Sequence, residues 1–471
     1  MKRTLLIVLV TIPRILFEVF ASSAAEPPAA HPGVPDPDVS ADSLAVAVPS
    51  DGAVPAGESK PMTLDECMRY AVEHSPAVRR QDYTNRSYRQ DYIESVAALV
   101  PSVSGTVGAS TSFGRSVDPE TNTYTDVSNF DNSYSLSGQM PVFAGLTRIN
   151  TLRAARVMRS QGVEELQLAR DEIALKTMEA YFDAVYYTES VRLAREQLET
   201  STAELAKSRK LFELAEVESQ CASDDYLVTQ QENNLALAEI ALSEAMNYPA
   251  DRPLRIVTDP PVETPAGVAP FDEVLDYALE NNPKAVAARH DVRHSRLQFS
   301  IAKGNLYPSL YVGGGYSTNF FMSLDDRSLY ASFPDQFRDN RGYYVSAQLS
   351  IPIFGGLSRR TSVNRARNSW RIAEENRIET LRTLQSEVAQ AYQQMLGYGK
   401  EFVQASKKSD AAQLAYEAVS GKYERGMVSA LDLQTAADRL LEARSERLRA
   451  RLQYIVKVRL VAYYNGEPLI R

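Results

Sequence analysis

Hydrophobic and polar residues along this chain change their period twice, from helical spacing to strict alternation and back to helical spacing. The first helical segment begins at Thr63, which pairs with Glu66 three residues later in the pattern of a capping box. Apolar residues then recur every three or four positions, which is typical of an amphipathic helix. Pro76 interrupts this helix, and the pattern predicts that helix resumes over 81–100.

Strict alternation begins after Pro101. Apolar and small residues over 103–113 alternate with Ser, Thr and Gly, and this period of two predicts a half-buried strand. A polar loop is predicted over 116–129, and a second alternating segment follows from Tyr134. We expect each strand to have about 10 to 12 residues, the length that crosses a bilayer when the strand is tilted.

The segments after the strands predict helices of unusual length. Proline is absent between Pro141 and Pro249, and again between Pro352 and Pro468. The predicted long helices are 147–215 and 359–425; their predicted breaks are 216–224 and 426–429; their predicted return helices are 225–247 and 430–464. A helical hairpin about 100 Å long at 1.5 Å per residue must bury its apolar stripe against other long helices.

The whole succession occurs twice. Pro76 and Pro101 are 25 residues apart, as are Pro283 and Pro308, displaced by 207. The second copy predicts helix over 271–279, a pause at Pro283, helix to 306, a strand after Pro308, a polar loop over 323–340 and a strand over 343–353. An internal duplication of about 200 residues is too long for a solenoid repeat and indicates two copies of one complex unit.

These patterns divide the chain into five segments. A basic start, an apolar run and small residues predict a signal peptide over 1–25. A leader rich in Pro and Ala, predicted to be disordered, covers 26–61. The first repeat covers 62–248, a Pro-rich linker 249–270, and the second repeat 271–467.

Composition excludes several classes of function. The net charge of −9 argues against a nucleic-acid partner. The two cysteines, Cys67 and Cys221, allow one disulfide but neither a disulfide scaffold nor a cysteine zinc site. After the signal peptide, the sequence has no stretch of about 18 apolar residues, so the exported protein is either soluble or held in a membrane by strands.

Catalytic motifs are also lacking in the sequence, and we predict no enzyme, cofactor or metal site. His290 and His294 share one helix face at the i, i+4 spacing that zinc metalloproteases use, but Asp291 stands where their general-base Glu would be. Adventitious metal binding and two ordinary polar residues of a helix both remain open for this pair. The sequence shows no Gly-rich phosphate loop, nucleophile elbow or metal-ligand cluster.

At this point the chain resembles the TolC-like outer-membrane efflux proteins, over about residues 62–468. The resemblance rests on the duplicated helix–strand–strand–helix order and on short motifs at the strand-to-helix transitions and at the second hairpin turn. These motifs are Pro141-Val142-Phe143, Pro352-Ile353-Phe354-Gly355-Gly356, Tyr423-Glu424-Arg425-Gly426, Ser429 and Asp432-Leu433.

The resemblance implies a mainly α fold with a membrane β-barrel contribution. Three chains would form a homotrimer, whose 12-stranded barrel continues into a periplasmic α-helical tunnel. Four strands from one chain cannot close a barrel, which agrees with a trimer. The implied function is a passive outer-membrane exit duct of a tripartite efflux or type I secretion system in a Gram-negative bacterium, in contact with outer-membrane lipid. A periplasmic adaptor protein and an inner-membrane RND or ABC transporter are the implied partners.

The main alternative is a periplasmic coiled-coil adaptor or spacer without a membrane barrel. Adaptors also have long helical hairpins, but usually one, flanked by compact β-domains. The four alternating strands and the duplication argue against this alternative, and extraction that requires detergent would separate the two.

The resemblance also implies a gate at the periplasmic entrance. Asp432 matches a pore-facing aspartate, and three copies would form an acidic ring that attracts cations. From the residues alone, the helix-capping interpretation of Asp432 is favoured over the pore-facing one. The second acidic residue that the family often has is replaced by Thr435. The other gate candidates are Asp224 and Asp225, with Arg425 and Tyr423 as pairing partners, although Asp224 also suits a helix cap.

The two hairpin turns are the implied contacts for the adaptor. In the first hairpin the candidates are Ala215, Glu216 and Val217; in the second they are Gly426, Met427 and Val428. Gly426 also suits a helix C-cap, and both roles are compatible.

Overall fold

The computed structural model describes residues 61–117, 122–207, 211–249, 251–252, 254–258, 269–324 and 330–470. The expected signal peptide, all but the last residue of the expected leader, and much of the Pro-rich linker lie outside the described residues.

The elements follow one another in an order that occurs twice. In the first half the elements are α1 (Leu64–His74), α2 (Pro76–Ala97), β1 (Ser102–Val117), β2 (Tyr124–Ala144), α3 (Thr147–Lys207) and α4 (Leu211–Met246). In the second half they are α5 (Phe271–Asn281), α6 (Pro283–Gly304), β3 (Ser309–Ser323), α7 (Phe333–Asp339), β4 (Gly342–Ser350), α8 (Ser358–Tyr423) and α9 (Ala430–Tyr464). Among the elements that the structure describes, only α7 has no counterpart in the first half.

Local sequence explains where the short helices begin. The predicted capping box is confirmed, since Thr63 N donates to Glu66 Oε2 at 2.7 Å and Glu66 N donates to Thr63 Oγ1 at 3.3 Å. Pro76 and Pro283 interrupt the helices as predicted, because each occupies the first turn of a new helix, where a proline loses no backbone hydrogen bond.

The first strand pair is longer than the sequence predicted. The loop expected over 116–129 is wrong in part, because β1 continues to Val117 and β2 begins at Tyr124. Ladder pairing extends to these ends, and the Arg115 guanidinium lies 4.8 Å from the centroid of the Tyr124 ring. Paired backbone groups and this cation–π contact stabilise strand in a segment whose side chains suggested a loop.

Helix α7 lies in the segment that was expected to be a polar loop over 323–340. Its Phe337 ring lies 5.3 Å from Tyr134 of β2, between ring centroids. The Thr318 hydroxyl of β3 donates to the backbone carbonyl of Phe337 at 2.7 Å. Contacts between aromatic rings of the helix and the sheet therefore stabilise this short helix. The strand after it, β4, ends at Ser350, before the predicted end at Ile353.

Each long helix is entered from a strand through a Gly-Leu pair with left-handed backbone. Gly145 and Leu146 have φ of 59° and 63°, and Gly356 and Leu357 have φ of 59° and 65°. Glycine adopts this conformation without strain. Gly145 has a second constraint, because an added Cβ atom there would overlap the carbonyl oxygen of Gly304 at the end of α6.

The two long hairpins differ from each other at their turns. In the second hairpin, α8 ends at Tyr423 and α9 begins at Ala430, as predicted. In the first hairpin, α3 ends at Lys207 and α4 runs without interruption from Leu211 to Met246. The break predicted over 216–224 is therefore wrong, as is the predicted start of the return helix at 225.

Two clusters of buried apolar residues hold the helices together. One surrounds Met178, Tyr181 and Leu242 on α3 and α4, and the other surrounds Leu384, Val388 and Val461 on α8 and α9, among further residues of both halves. Residues 254–258 of the linker pack back on the first half, since Met62 pairs with Ile256 and the Tyr181 hydroxyl donates to the Val257 carbonyl at 2.6 Å. Among the described residues, no helix is both long and apolar enough to cross a membrane.

Candidate functional site: a two-faced sheet and two hairpin turns

The four strands form one antiparallel sheet in the order β1-β2-β3-β4. Residues that pair across neighbouring strands lie on the same face of a sheet, and successive residues of one strand lie on opposite faces. The register therefore sorts every strand residue onto one of two faces.

One face consists mostly of small polar residues and glycines. Its rows across the strands include Ser102, Gln139, Gly313 and Ser346; Ser104, Ser137, Gly315 and Tyr344; and Thr106, Ser135, Ser317 and Gly342. The hydroxyls of Ser104 and Ser137 lie 3.2 Å apart and share a hydrogen bond. We call this surface the serine face.

The opposite face is apolar and largely exposed. Its rows include Val107, Tyr134 and Thr318; Leu136, Tyr316 and Tyr343; and Phe143, Leu310 and Leu349. Val107 is 71% exposed and Tyr343 is 76% exposed. A large exposed apolar surface on a folded chain marks a surface that contacts another protein or a membrane. We call this surface the apolar face, and α7 covers its end next to Phe320.

Both edges of the sheet have free pairing positions. Among the described strands, β1 pairs only with β2 and β4 pairs only with β3. All nine residues of β4 are exposed. Unpaired backbone groups of this kind template pairing with a further strand.

At the turn of the second hairpin, Gly426 ends α8 in a Schellman motif. Its N–H donates to the Tyr423 carbonyl at 2.8 Å, and the Met427 N–H donates to the Lys422 carbonyl at 3.0 Å. The φ of Gly426 is 71°, which favours glycine. The interpretation of Gly426 as a helix C-cap is thus confirmed, and the glycine is exposed at the turn.

Asp432 lies three residues beyond Ser429 in a complete capping box. Its Oδ2 accepts hydrogen bonds from the Ser429 N–H at 3.0 Å and from the Ser429 hydroxyl at 2.7 Å. The Ser429 hydroxyl oxygen accepts from the Asp432 N–H at 3.2 Å. Hydrogen bonds from the Ser429 hydroxyl and N–H hold the pKa of Asp432 below its usual value. Asp432 therefore carries a negative charge at an exposed helix start, and the helix-cap interpretation of its local contacts is confirmed.

Asp224 lies inside the bundle rather than at a turn. It is 3% exposed, and its Oδ1 accepts a hydrogen bond from Gln220 Nε2 at 2.8 Å. Its Oδ2 is buried and has no hydrogen-bond partner among the described residues. Burial raises the pKa of Asp224, and the polar groups of Ser201 and Gln220 beside it lower the pKa by less. Among the described residues its hydrogen-bond partner is Gln220 of its own helix, and neither Arg425 nor Tyr423 is bonded to it.

A polar contact between α4 and α9 lies one turn from Asp224. Gln434 of α9 donates a hydrogen bond to Gln220 of α4. One turn further along, α4 carries Asp224 and α9 carries Asp438. Burial, and next the nearby Asp224 charge, raise the pKa of Asp438. The sequence contains no signal that pairs these residues, because the contact depends on how two separate hairpins pack.

The remaining candidate residues are distributed over both turns. Asp225 is exposed on α4, and Arg425 is exposed in the turn after α8, where Tyr423 is half-buried. Of the adaptor candidates, Ala215 and Glu216 are exposed near the start of α4, whereas Val217 is 5% exposed. In the second turn, Met427 is 67% exposed and Val428 is half-buried.

The cysteines and histidines carry no chemistry that the fold brings together. Cys67 and Cys221 are free thiols, and burial raises the pKa of Cys67 to about 12. His294 Nε2 lies 3.1 Å from Gln298 Nε2, and burial lowers the pKa of both His290 and His294. Within the described ranges, no group of three or more His, Cys, Asp or Glu residues is arranged to hold a metal ion.

Residues 274–464 match the family of outer membrane efflux proteins. Over these residues the chain is similar to outer membrane efflux proteins. It is 23% identical to the alkaline protease secretion protein AprF of Pseudomonas aeruginosa, over 84% of this chain and 82% of AprF. It is 20% identical to the outer membrane protein TolC of Vibrio cholerae serotype O1, over 65% of this chain and 70% of TolC.

Solved structures with this fold include the outer membrane protein VceC of Vibrio cholerae. Its TM-score is 0.72 at 15% sequence identity, with 86% of this chain and 96% of that chain covered.

Proposed function

We propose that this chain is the outer-membrane exit duct of a tripartite efflux or type I secretion system, a passive conduit from periplasm to exterior. The observation that carries the proposal is the two-faced sheet. Side chains that alternate between an apolar and a polar surface are the signature of a strand between lipid and a water-filled interior. The serine face would line the water path, and the apolar face would contact lipid.

Closure of the barrel requires further copies of the chain. A sheet of four strands with two free edges leaves backbone groups unpaired, which lipid does not tolerate. Three chains of four strands give a 12-stranded barrel, and an even strand number of this size suits an outer-membrane barrel. In this homotrimer β4 of one chain pairs with β1 of the next, and the long hairpins of three chains surround a periplasmic tunnel.

The periplasmic entrance of the tunnel lies at the hairpin turns. Three copies of the exposed, charged Asp432 form an acidic ring there, which attracts cations and narrows the opening. The low pKa of Asp432 supports this role, because the ring keeps its charge at neutral pH. Asp225 adds a further exposed carboxylate on α4.

The same turns are the contact for a periplasmic adaptor, which links the duct to an inner-membrane RND or ABC transporter. In the second turn, Gly426, Met427 and Val428 present a small apolar surface, with Met427 exposed. In the first hairpin, Ala215 and Glu216 are accessible, whereas Val217 supports them from within the bundle.

The experiment is planar-bilayer conductance of the protein purified in detergent, after light scattering has given its mass. We expect a trimer that requires detergent and forms discrete, long-lived channels. A water-soluble monomer without channel activity would overturn the proposal and favour the periplasmic spacer. We do not expect a water-soluble monomer, because the apolar face would then be exposed to water.

A further inference from the structure

A groove between α3 and α6 is lined by arginines from both helices. Its volume is about 650 Å3, and it contains Arg153 and Arg156 of α3 together with Arg293 and Arg296 of α6. Two hydroxyls, from Ser160 and Ser300, and two apolar side chains, from Val157 and Leu297, complete most of its wall. We call this the arginine groove.

The positive charge in the groove is not balanced by ion pairs. All four arginines are exposed, and none of them forms a salt bridge with a described residue. His290 also lines the groove, and its pKa is lowered mainly by burial. The nearby Glu164 raises this pKa, whereas Arg293 and Arg289 lower it further. Four like charges around one groove repel one another unless an anion neutralises them.

Exposed apolar residues lie between the groove and the sheet. On α3, Ile149 is 42% exposed and lies one turn before Arg153 on the same side of the helix. Leu146, at the junction with β2, is 56% exposed. Arg153 follows the first residue of α3, Thr147, by six positions, which is about 9 Å along the helix. Along this face, apolar side chains next to the sheet therefore give way to arginines within two helical turns.

Aromatic residues flank the arginines on the other side of α6. Phe299 stacks on Trp370 of α8 with 5.8 Å between ring centroids, and the Arg296 guanidinium lies 5.8 Å from the Trp370 ring. Lys303 Nζ lies 4.9 Å from the Phe299 ring. Apolar side chains with aromatic rings and basic side chains beside them are typical of the boundary between lipid tails and headgroups.

We propose that the arginine groove binds the phosphate of an anionic phospholipid headgroup, in the leaflet that faces the periplasm. Planar guanidinium groups from two helices suit a phosphate, which accepts paired N–H hydrogen bonds. Headgroups extend about 5 to 8 Å beyond the hydrocarbon on each side, which matches the spacing from Ile149 to Arg153. The inference rests on the proposed function, because it takes the apolar face as the surface in contact with lipid.

The chain contains one tryptophan, Trp370, so its fluorescence reports on the surroundings of this groove. The protein is purified as a trimer in neutral detergent and titrated with dihexanoyl phosphatidylglycerol, dihexanoyl phosphatidylcholine or inorganic phosphate. We expect a saturable change in Trp370 emission, with half-saturation by phosphatidylglycerol at a concentration at least fivefold lower than for the other two. Added salt should raise that concentration, because the attraction is electrostatic.

The test variant replaces one arginine on each wall, Arg153→Gln with Arg293→Gln, and leaves Arg296 on its tryptophan. The control replaces two exposed arginines of α8 far from the sheet, Arg377→Gln with Arg382→Gln. We expect half-saturation to rise at least tenfold in the test variant and to stay within twofold in the control. Equal affinities in both variants would overturn the groove as the site. Inorganic phosphate that binds as tightly as phosphatidylglycerol would overturn the lipid as its source.

The same variants separate this inference from the proposed function. Both should form channels in planar bilayers, since neither removes a strand residue or a residue of the hairpin turns. Loss of headgroup binding with channels retained supports the groove. Absence of channels from the unmodified protein would refute the exit duct, whatever the titration shows.

Discussion

Gln434 of α9 donates a hydrogen bond from its side-chain amide to the amide oxygen of Gln220 on α4. This bond joins the two hairpins, since α4 belongs to the first and α9 to the second. Both glutamines are half-buried, so water competes only weakly for their amides. The bond therefore opposes any motion that separates α4 from α9 near the hairpin turns.

We expect Gln434→Ala to loosen this end of the bundle. Loss of one half-buried hydrogen bond lowers the stability of this region by about 1 kcal/mol. Local opening should then be more frequent, so the backbone amide protons over 215–224 and 430–440 should exchange faster with solvent. Hydrogen exchange followed by mass spectrometry measures this change. Gln390→Ala is the matched control, because Gln390 bonds only to Ser386 on its own helix at 3.2 Å. Equal exchange in both variants would show that the Gln220–Gln434 bond does not couple the hairpins.

The buried Asp224 makes stability depend on pH. Its pKa is raised by burial, so the folded chain binds a proton more tightly than the unfolded chain, and stability falls as pH rises from about 4, the unfolded value, through the raised value. At pH values above the raised pKa, the folded chain bears the whole destabilisation that comes from burying the ionised carboxylate. Asp224→Asn removes the ionisation, so we expect a higher melting temperature at pH 8 and little change below pH 4.

The neighbouring Asp225→Asn is the control for this pH effect. Asp225 is exposed, so its replacement should change the free energy of unfolding by less than about 0.5 kcal/mol at either pH. Thermal unfolding of both variants at pH 4 and pH 8 separates the two carboxylates. A melting temperature of Asp224→Asn that differs from the unmodified protein by the same amount at both pH values would contradict the assignment.

The proposed charge and the observed capping function of Asp432 can be separated. Asp432→Asn removes the charge but keeps an oxygen that accepts from the Ser429 N–H, so we expect reduced cation selectivity in planar bilayers with little loss of stability. Ser429→Ala keeps the charge but removes the hydroxyl of the helix cap, which typically costs about 1 kcal/mol. Its channels should retain their cation selectivity while its melting temperature falls. Unchanged selectivity in Asp432→Asn would remove Asp432 from the gate.

Gly426 lets us test the adaptor contact. Gly426→Trp places a bulky side chain on the exposed second turn, and we expect loss of efflux or secretion with the trimer intact. Because φ at Gly426 is 71°, any side chain also adds strain, so Gly426→Asn serves as the control for backbone conformation. Gly397→Trp is the control for bulk, since an added Cβ atom meets no atom within 4 Å on that part of α8. Normal transport by Gly426→Trp would exclude the turn as a contact.

The sequence predicted the elements whose causes are local. Proline positions and the capping pair Thr63 and Glu66 indicated where helices begin, and alternation indicated the strands. The second turn was also predictable, because Gly426 and Ser429 mark a helix end and a helix start within four residues. The sequence did contain a signal for helix α7, although the polar residues around it suggested a loop. Pro334 suits the first turn of a helix, and Phe333 and Phe337 are spaced four residues apart, so they share one helix face.

The first hairpin turn was placed wrongly because its signals are not local. The polar segment over 216–224 suggested a break, but the helix passes through it without proline or glycine. Asp224 accepts a hydrogen bond there from Gln220 on its own helix, and its carboxylate is buried only because α3 packs against α4. The adaptor and gate assignments remain predictions.

The serine face has a consequence for how transport through the proposed barrel is switched off. Hydrophobic constrictions can close a pore by expelling water, without any movement of the wall. A surface of hydroxyls and glycines stays wetted. Most rows of the strands therefore cannot close the pore by dewetting. In the proposed barrel, closure would then be mechanical, through displacement of helices, and the outer end of the conduit would stay filled with solvent.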